Sequence, residues 1–170
     1  FIRNFFTTMQ LVMAGNDTQG VRYGTIETHE KYYLEWKEPA DPIHSDHVDL
    51  PSANLLDQHL AQLCSKARFL ELIHDFIVFD AGTKKTCRHN QYFGIRAAKA
   101  YIRRRDGGII WHTQGSGKSL TMVWLAKWIR ENVTDSRVLI ITDRTELDEQ
   151  IEKVFSGVEE EILRTKSGAD

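Results

Sequence analysis

The sequence is poor in cysteine and has no excess of charge of one sign. Its 170 residues include only Cys64 and Cys87, whose spacing fits neither a disulfide framework nor a metal site. With 22 Lys and Arg against 24 Asp and Glu, the net charge of -2 excludes nucleic-acid binding through overall basicity, so any such contact needs a local patch. No signal peptide and no long apolar run is present. These absences predict a cytoplasmic protein without membrane contact.

Proline is equally rare, and its three copies lie close together. Pro39, Pro42 and Pro51 fall in an Asp- and His-containing stretch at 37–51, which predicts a linker or long surface loop and a domain boundary. Before it, runs rich in aromatic and β-branched residues at 6–13, 20–26 and 32–36 predict strands, with a turn at 15–17. This first part therefore resembles the edge of an α+β sheet.

After the proline-rich stretch, helices come first and then alternate with strands. Ser52 and Ser65 can cap helices at 54–63 and 65–77, residues 81–86 break the pattern, and Asn90 can cap a helix reaching 105. The next elements are a strand at 109–111, a helix at 120–132, a strand at 137–142 and a helix at 146–155. This alternation predicts a parallel sheet, with the apolar run 138–141 buried on both faces.

The octapeptide at 112–119, His-Thr-Gln-Gly-Ser-Gly-Lys-Ser, lies between a predicted strand and a predicted helix, as a phosphate-binding loop requires. Gly115 and Gly117 allow backbone N–H groups to approach phosphate oxygens, and the helix that follows directs its positive end toward the same anion. Lys118 is placed to reach the β- and γ-phosphates, and Ser119 to bind Mg²⁺. His112 replaces the usual first glycine. The alternative is a glycine turn with an incidental Gly-Lys-Ser.

The helix before this loop carries a second group of candidate residues. The amide of Gln91 matches the N6 and N7 edge of adenine, although a polar residue in a first helical turn needs no ligand. Tyr92 can stack on a base, but the hydrophobic core is the more common place for such a residue. Lys99 and Arg103–Arg105 form a basic helix end, which we interpret as a solvated cap with a phosphate-backbone contact as the alternative.

Residues 142–145 follow the second predicted parallel strand, at the sheet edge where ligands bind in open α/β folds. Arg144 and the N–H groups of the next helix can hold a nucleic-acid phosphate, or Thr145 and Asp148 can form a capping box, and the two interpretations are compatible. Glu35 and Lys37 match half of a metal-nuclease motif, which we attribute to chance. His44 and His47 have metal-like spacing but fit a polar loop better.

Taken together, these motifs resemble the endonuclease subunit, or R subunit, of type I restriction enzymes. In that family the phosphate loop commonly opens with His-Thr, which accounts for His112. The motor-like segments that carry the resemblance are 91–93, 112–119 and 138–144, with Leu147 and Gln150. The segments similar to the end of the family's nuclease domain are 10–17, 22–25 and 33–37.

The resemblance implies an α/β fold in three parts. Residues 1–38 would be the C-terminal part of a restriction-endonuclease-like domain, 39–89 a linker with helices, and 90–170 the start of a RecA-like parallel-sheet domain of superfamily 2 helicases. The parent would be an ATP-hydrolysing type I site-specific deoxyribonuclease that translocates double-stranded DNA, working with methyltransferase and specificity subunits. Because the chain begins with Phe and ends openly, we expect a piece of such a protein.

The resemblance also assigns roles to individual residues. Gln91 would contact adenine, and Thr113, Gln114, Gly115, Ser116, Gly117, Lys118 and Ser119 would bind ATP, with Lys118 catalytic and Ser119 on Mg²⁺. Asp143 and Arg144 would contact DNA. The nuclease carboxylates would precede residue 1, and the acidic Walker B motif and the arginine finger would follow residue 170, so the segment alone is expected not to hydrolyse ATP. Two alternatives remain: another superfamily 2 helicase or ATPase, and an inert interaction segment.

Overall fold

A computed structural model of the chain describes residues 8–39, 54–142, 145–158 and 163, and the statements below concern these residues. Several predictions lie outside them. They are the first two residues of the predicted strand at 6–13, the proposed Ser52 cap, most of the proline-rich stretch with His44 and His47, and the proposed DNA contacts Asp143 and Arg144.

The first part of the chain folds into a three-stranded antiparallel sheet in the order β1-β2-β3. The strands are β1 (Val12–Asn16), β2 (Gly20–Gly24) and β3 (Leu34–Glu35), and a short 3-10 turn (Glu30–Tyr32) precedes β3. The turn predicted at 15–17 lies two residues later, because Asn16 Oδ1 accepts from the N–H groups of Thr18 at 3.1 Å and Gln19 at 2.8 Å. That side chain closes the hairpin, so Gly15 stays in the strand.

Two helices follow, α1 (Leu55–Leu63) and α2 (Lys66–Asp75). Asn54 caps α1, since its Oδ1 accepts from the N–H of Asp57 at 2.9 Å. Ser65 occupies the N-cap position of α2 as predicted, but its side chain makes no capping hydrogen bond. The predicted extension of α2 to residue 77 is wrong: the helix ends at Asp75, Phe76 is its C-cap, and Ile77 begins a strand.

That strand belongs to a hairpin that the sequence analysis missed, β4 (Ile77–Asp80) paired with β5 (Thr83–Thr86). Both turn residues have positive φ, 49° at Ala81 and 79° at Gly82, as in the tight turns that join antiparallel strands. The N–H of Ala81 also donates to the carbonyl of Gly157 at 2.9 Å, which ties the turn to the last helix.

Three longer helices complete the described structure: α3 (His89–Arg103), α4 (Lys118–Asn132) and α5 (Thr145–Gly157). Asn90 does not cap α3, because the N-cap residue is Arg88 and Asn90 is already helical. The Gln91 side chain accepts from the Arg88 N–H at 2.8 Å and so performs the capping from inside the helix. Helix α4 starts two residues earlier than predicted, at Lys118.

The two predicted parallel strands are not paired in the structure. Among the described residues both sheets are antiparallel, and neither 109–111 nor 137–142 belongs to one. Ile109 is 89% exposed, Trp111 90%, Leu139 79% and Ile141 83%, so the expected burial of 138–141 on both faces is wrong for this structure. A parallel strand is stable only with hydrogen-bonded neighbouring strands and a covering layer on each face, and among the described residues neither segment lies in a sheet covered on both faces. The RecA-like sheet stays a prediction.

The larger hydrophobic core cluster among the described residues joins the three-stranded sheet to the helices. Its buried members are Val21, Tyr23, Trp36, Leu63, Leu72, Phe76, Val78, Cys87, Tyr92, Ile95 and Trp124. A smaller cluster of Val123, Ala126, Ile151 and Phe155 packs α4 against α5. The core draws on all three predicted domains, whose boundaries stay predictions. Within the described ranges, no helix combines the length and apolar character needed to cross a membrane.

Candidate nucleotide-binding site

The octapeptide folds into a tight loop directly before α4. Ser116 holds the turn, since its N–H and hydroxyl both donate to the carbonyl of Thr113, at 3.3 and 2.7 Å. Gly115 and Gly117 have φ of 75° and 84°, a left-handed conformation that side chains rarely adopt. Gly117 is the N-cap residue of α4, so the unpaired N–H groups and positive dipole end of that helix lie directly behind the loop.

Lys118 folds back over the loop that precedes it. Its exposed ammonium donates to the carbonyl oxygens of Thr113 at 2.9 Å and His112 at 3.3 Å. The positive charge is therefore held beside the loop by two neutral acceptors, which phosphate oxygens can replace with stronger, charge-assisted hydrogen bonds.

Gln91 is 2% exposed and connects α3 to the loop. Its Nε2 donates to the carbonyl of Gly117 at 2.8 Å, and its Oε1 accepts from the N–H of Arg88. An amide has two donor hydrogens and two acceptor lone pairs, so one of each remains. The predicted adenine contact needs such a pair, but burial means that a base can reach it only after local opening. That role stays a prediction.

The contact between Gln91 and the loop explains the glycine at 117. A Cβ at this position would lie 2.5 Å from Gln91 Nε2, closer than atoms can pack, and the positive φ disfavours a side chain independently. Gly115 differs, since a Cβ there meets no atom within 4 Å. The outer side of the loop at Gly115 is therefore open, as an approach to phosphate requires.

The remaining loop residues differ in exposure, and their predicted roles stay predictions. Thr113 and Gln114 are exposed, while Ser119 is half-buried at the second position of α4, next to Lys118. The described residues contain no group of three or more His, Cys, Asp or Glu side chains arranged for a metal. A lone hydroxyl fits Mg²⁺ bound mainly through phosphate oxygens and water, as that ion often is.

His112 packs its imidazole against Gly94 of α3, where a Cβ would lie 3.3 Å from both Cε1 and Nε2 of the ring. Burial and the nearby Lys118 charge lower the pKa of His112, and a backbone hydrogen bond with Asn90 opposes them only in part. The neutral ring is favoured near pH 7. Gly94 was not singled out by the sequence, and its position inside a helix was the one available signal.

A cavity of about 320 Å³ opens at the N-terminus of α3, and Gln91 is not among the residues that line it. Asn90 and His89 line it from the helix, and Tyr33 lines it from the stretch before β3. Lys31 and Arg88 also line it. Among the described residues, neither of these two cations has a carboxylate within 4 Å. This volume is at the lower end of the usual range for small-molecule sites.

Two predictions on α3 are settled by burial. Tyr92 is 1% exposed and packs against Trp36 and Phe76, so the core interpretation is confirmed. Lys99 is not part of a solvated cap, because it is 6% exposed and pairs with Asp75 at 2.7 Å and Glu71 at 3.2 Å. Of the basic end, Arg104 does lie at the surface, where it pairs with Asp106 at 2.9 Å.

Among the residues that the structure describes, Glu35 belongs to no cluster that could hold a metal. Its carboxylate pairs with Arg22 at 2.9 Å and Lys37 at 3.4 Å. Slight burial raises the pKa of Glu35, but the hydrogen bonds and charges of Lys37 and Arg22 outweigh it and leave that pKa below its ordinary value. An ion pair across the sheet is a sufficient reason for this carboxylate.

Comparison with known proteins gives two kinds of match. The family model described as SWI2/SNF2 ATPase matches residues 90–170, which contain the loop and the helices on either side of it. The chain is also similar to proteins named as endonuclease subunits of type I restriction enzymes.

Three of these relatives show the extent of the similarity. The putative MjaIXP subunit of Methanocaldococcus jannaschii is 35% identical over 68% of this chain and 12% of its own length. The HindI subunit of Haemophilus influenzae is 27% identical over 85% of the chain and 15% of its own length. The SsaAORF53P subunit of Staphylococcus saprophyticus is 23% identical over 89% and 16%. The chain thus spans less than a fifth of each relative.

Proposed function

Because this chain belongs to the family of type I restriction enzyme endonuclease subunits, we propose that it supplies the ATP–Mg²⁺-binding loop of an ATP-driven motor on double-stranded DNA. The observation that carries the proposal is the position of Lys118. Its ammonium is held over a glycine-rich loop at the N-terminus of α4, where a cation, N–H groups and a helix dipole converge. These are the groups that bind a polyphosphate.

The residue roles follow from this arrangement. Backbone N–H groups between Thr113 and Ser119, including that of Gln114, would surround the phosphates, with the Ser116 N–H exchanging the Thr113 carbonyl for a phosphate oxygen. Ser119 would bind Mg²⁺. Lys118 would move from the carbonyls of His112 and Thr113 to the β- and γ-phosphates. When bound, ATP–Mg²⁺ supplies the phosphoryl transfer, and these residues position and neutralise it. Gln91 would present its remaining donor and acceptor to adenine, with the base in or near the cavity lined by Asn90 and Tyr33.

The proposal extends to the larger assembly. We propose that the whole protein is a type I site-specific deoxyribonuclease of the cytoplasm, which hydrolyses ATP, translocates double-stranded DNA and assembles with methyltransferase and specificity subunits. Asp143 and Arg144 would contact DNA. Residues 1–38, 39–89 and 90–170 would be the end of the nuclease domain, a linker and the start of the motor.

The exposed apolar segments support a RecA-like sheet in the larger protein. Ile109 and Trp111 precede the loop, and Leu139 and Ile141 follow α4, so the two segments have the sequence order of neighbouring strands around a phosphate loop. Leaving four such side chains in water is unfavourable by about 25 cal/mol per Å² of apolar surface. Pairing with further strands would bury them.

The proposal is tested by equilibrium binding of a fluorescent ATP analogue to the 170-residue chain with and without Mg²⁺. We expect Mg²⁺-dependent binding that Lys118→Ala weakens by about a hundredfold, since a charge-assisted contact to two phosphates is lost. Lys127→Ala, on the same helix, is the matched control and should bind like the unchanged chain. Binding that is equal in Lys118→Ala and Lys127→Ala contradicts the site.

The inert-segment alternative makes the opposite prediction, namely no Mg²⁺-dependent binding at all. The same preparation tests turnover, which we propose is absent because the family's acidic motif and arginine finger would lie outside these residues. DNA-stimulated phosphate release that disappears in Lys118→Ala would show that this part of the proposal is wrong.

A further inference from the structure

Helix α3 contacts the phosphate loop at both ends from one face. Gln91 holds the far end through the carbonyl of Gly117, and Gly94, three residues later, lies against the ring of His112 at the near end. Residues three apart in a helix share a face, so one rigid element touches both ends of the loop. The first of these contacts is a hydrogen bond, and the second is close packing, next to a hydrogen bond of His112 with the Asn90 backbone.

The fit between Gly94 and His112 leaves no spare room. A methyl group at position 94 would approach the imidazole to 3.3 Å and Ile110 Cγ2 to 3.5 Å, so the ring would have to move by a few tenths of an ångström. The other contact that holds the ring also comes from α3, because His112 makes a hydrogen bond with the backbone of Asn90, while its Nδ1 is buried and has no hydrogen-bond partner among the described residues. Its place depends on the surface of α3.

The same residue is linked to the lysine of the site. The backbone carbonyl of His112 accepts from Lys118 Nζ at 3.3 Å, and that of the adjacent Thr113 accepts at 2.9 Å. Displacing the imidazole therefore moves a residue that itself holds the ammonium. A glycine weakens a helix interior relative to alanine, so position 94 favours the loop contact at the expense of helix stability.

We propose that His112 and Gly94 form a positioning pair that sets where the loop carbonyls hold Lys118, and hence how readily a nucleoside triphosphate takes that ammonium over. The proposal rests on the function proposed above. His112 occupies the place of the usual first glycine of the loop. The small residue beside it is instead Gly94 of α3. Neither residue touches the nucleotide.

A double-mutant cycle in the 170-residue chain tests the pair, with the fluorescent ATP analogue and Mg²⁺ as the probe. We expect Gly94→Ala to weaken binding by about threefold to tenfold through displacement of the ring. In the His112→Gly background, Gly94→Ala should weaken binding of the analogue by less than about twofold, because the ring that it displaces is absent. Equal losses from Gly94→Ala in both backgrounds overturn the proposal.

A second measurement needs no nucleotide. The ¹³Cε resonance of Lys118, identified by its disappearance in Lys118→Arg, should shift in Gly94→Ala and return toward the His112→Gly position in the double variant. An unchanged resonance in Gly94→Ala overturns the positioning pair even if ATP binds. If the resonance shifts while no variant binds ATP, the pair stands and the proposed function fails.

Discussion

Gln91 illustrates how one buried amide can serve both the fold and the site. Its two hydrogen bonds, to the Arg88 N–H and the Gly117 carbonyl, close the start of α3 and fix the end of the phosphate loop. The sequence predicted the residue as a nucleotide contact and as a residue of a first helical turn. Only the fold reveals the bond to Gly117, because it joins residues 26 positions apart in the sequence.

Gln91→Glu separates these roles. A carboxylate cannot donate to the Gly117 carbonyl, so two acceptors would face each other in a buried place, and we expect the free energy of unfolding at pH 7 to fall by about 1–3 kcal/mol. Urea denaturation measures it. Gln19→Glu, in the exposed β1–β2 turn, is the control and should change it by less than about 0.5 kcal/mol. If stability is unchanged while ATP binding is lost, Gln91 acts on the ligand alone.

Because of His59, we expect the free energy of unfolding to decrease in acid. Its Nδ1 accepts from the N–H of Val21 at 3.1 Å, an arrangement that protonation of that nitrogen abolishes. Burial, with the charges of Arg22 and Lys37, lowers the pKa of His59 below its ordinary value of 6.5. The unfolded chain therefore takes up the proton first, so stability is complete above about pH 6.5 and decreases as the pH falls below it.

The measurement is urea unfolding between pH 7.5 and 5.5, a window above the ordinary carboxylate values of 4.5 and 3.8 at Glu35 and Asp75. Burial also lowers the pKa of His89 and His112, so three of the described histidines contribute to the decrease. We expect His59→Asn, which keeps an acceptor but cannot titrate, to reduce the decrease without removing it. An equal decrease in that variant contradicts the assignment.

At the scale of elements, α2 and α3 are held together by a charged cluster beneath aromatic rings. Lys99 of α3 pairs with Asp75 and Glu71 of α2 and lies 5.3 Å from the ring centre of Phe76. The hydroxyl of Tyr92 donates to the same Glu71 at 2.8 Å. This cluster fixes the helix that carries Gln91 and Gly94 against the middle of the chain.

Lys99→Met should destabilise the fold although it keeps most of the aliphatic volume. It leaves two partly buried carboxylates without their cation, and because these are 28% and 21% exposed we expect a loss of about 1–3 kcal/mol rather than the larger value for fully buried pairs. Urea denaturation at pH 7 checks this. Arg104→Met, which removes the exposed pair with Asp106, is the control and should leave the midpoint nearly unchanged.

The sequence predicted helices and strands correctly where the local residue pattern was sufficient. The apolar periodicity after the loop predicted α4, and β-branched runs predicted the first sheet. The hairpin of β4 and β5 was missed because Thr83–Thr86 reads Thr-Lys-Lys-Thr, a polar pattern whose strand conformation depends on pairing with Ile77–Asp80. Lys99 was placed at the surface because its carboxylate partners lie on another helix. Pairing and burial are properties of the fold, and composition does not contain them.

At the scale of the whole molecule, the tryptophans report on two different surroundings. Trp36, Trp124 and Trp128 are between 0% and 7% exposed, whereas Trp111, next to the phosphate loop, is 90% exposed. The octapeptide and its flanking motifs sufficed to recognise the family, but the strand conformation expected at Trp111 needs neighbours that the described residues do not supply.

We therefore expect iodide to quench a minor part of the tryptophan emission, and Trp111→Phe to remove most of that part. Steady-state quenching measures it, and Trp128→Phe is the control that should keep the accessible component. In a longer protein that includes more of the motor, the quenchable part should decrease as the sheet covers Trp111. Quenching that is the same in both lengths contradicts a strand at this position.

The two carbonyl bonds of Lys118 would make the proposed phosphate binding an exchange rather than an addition. An incoming anion has to displace acceptors that the ammonium already has, so a weakly charged ligand gains little, while each additional phosphate oxygen increases the gain. The proposed site would thereby discriminate against chloride and monophosphates. Its affinity should rise steeply from monophosphate to triphosphate, so the loop would select ligands by their number of phosphate groups at the binding step.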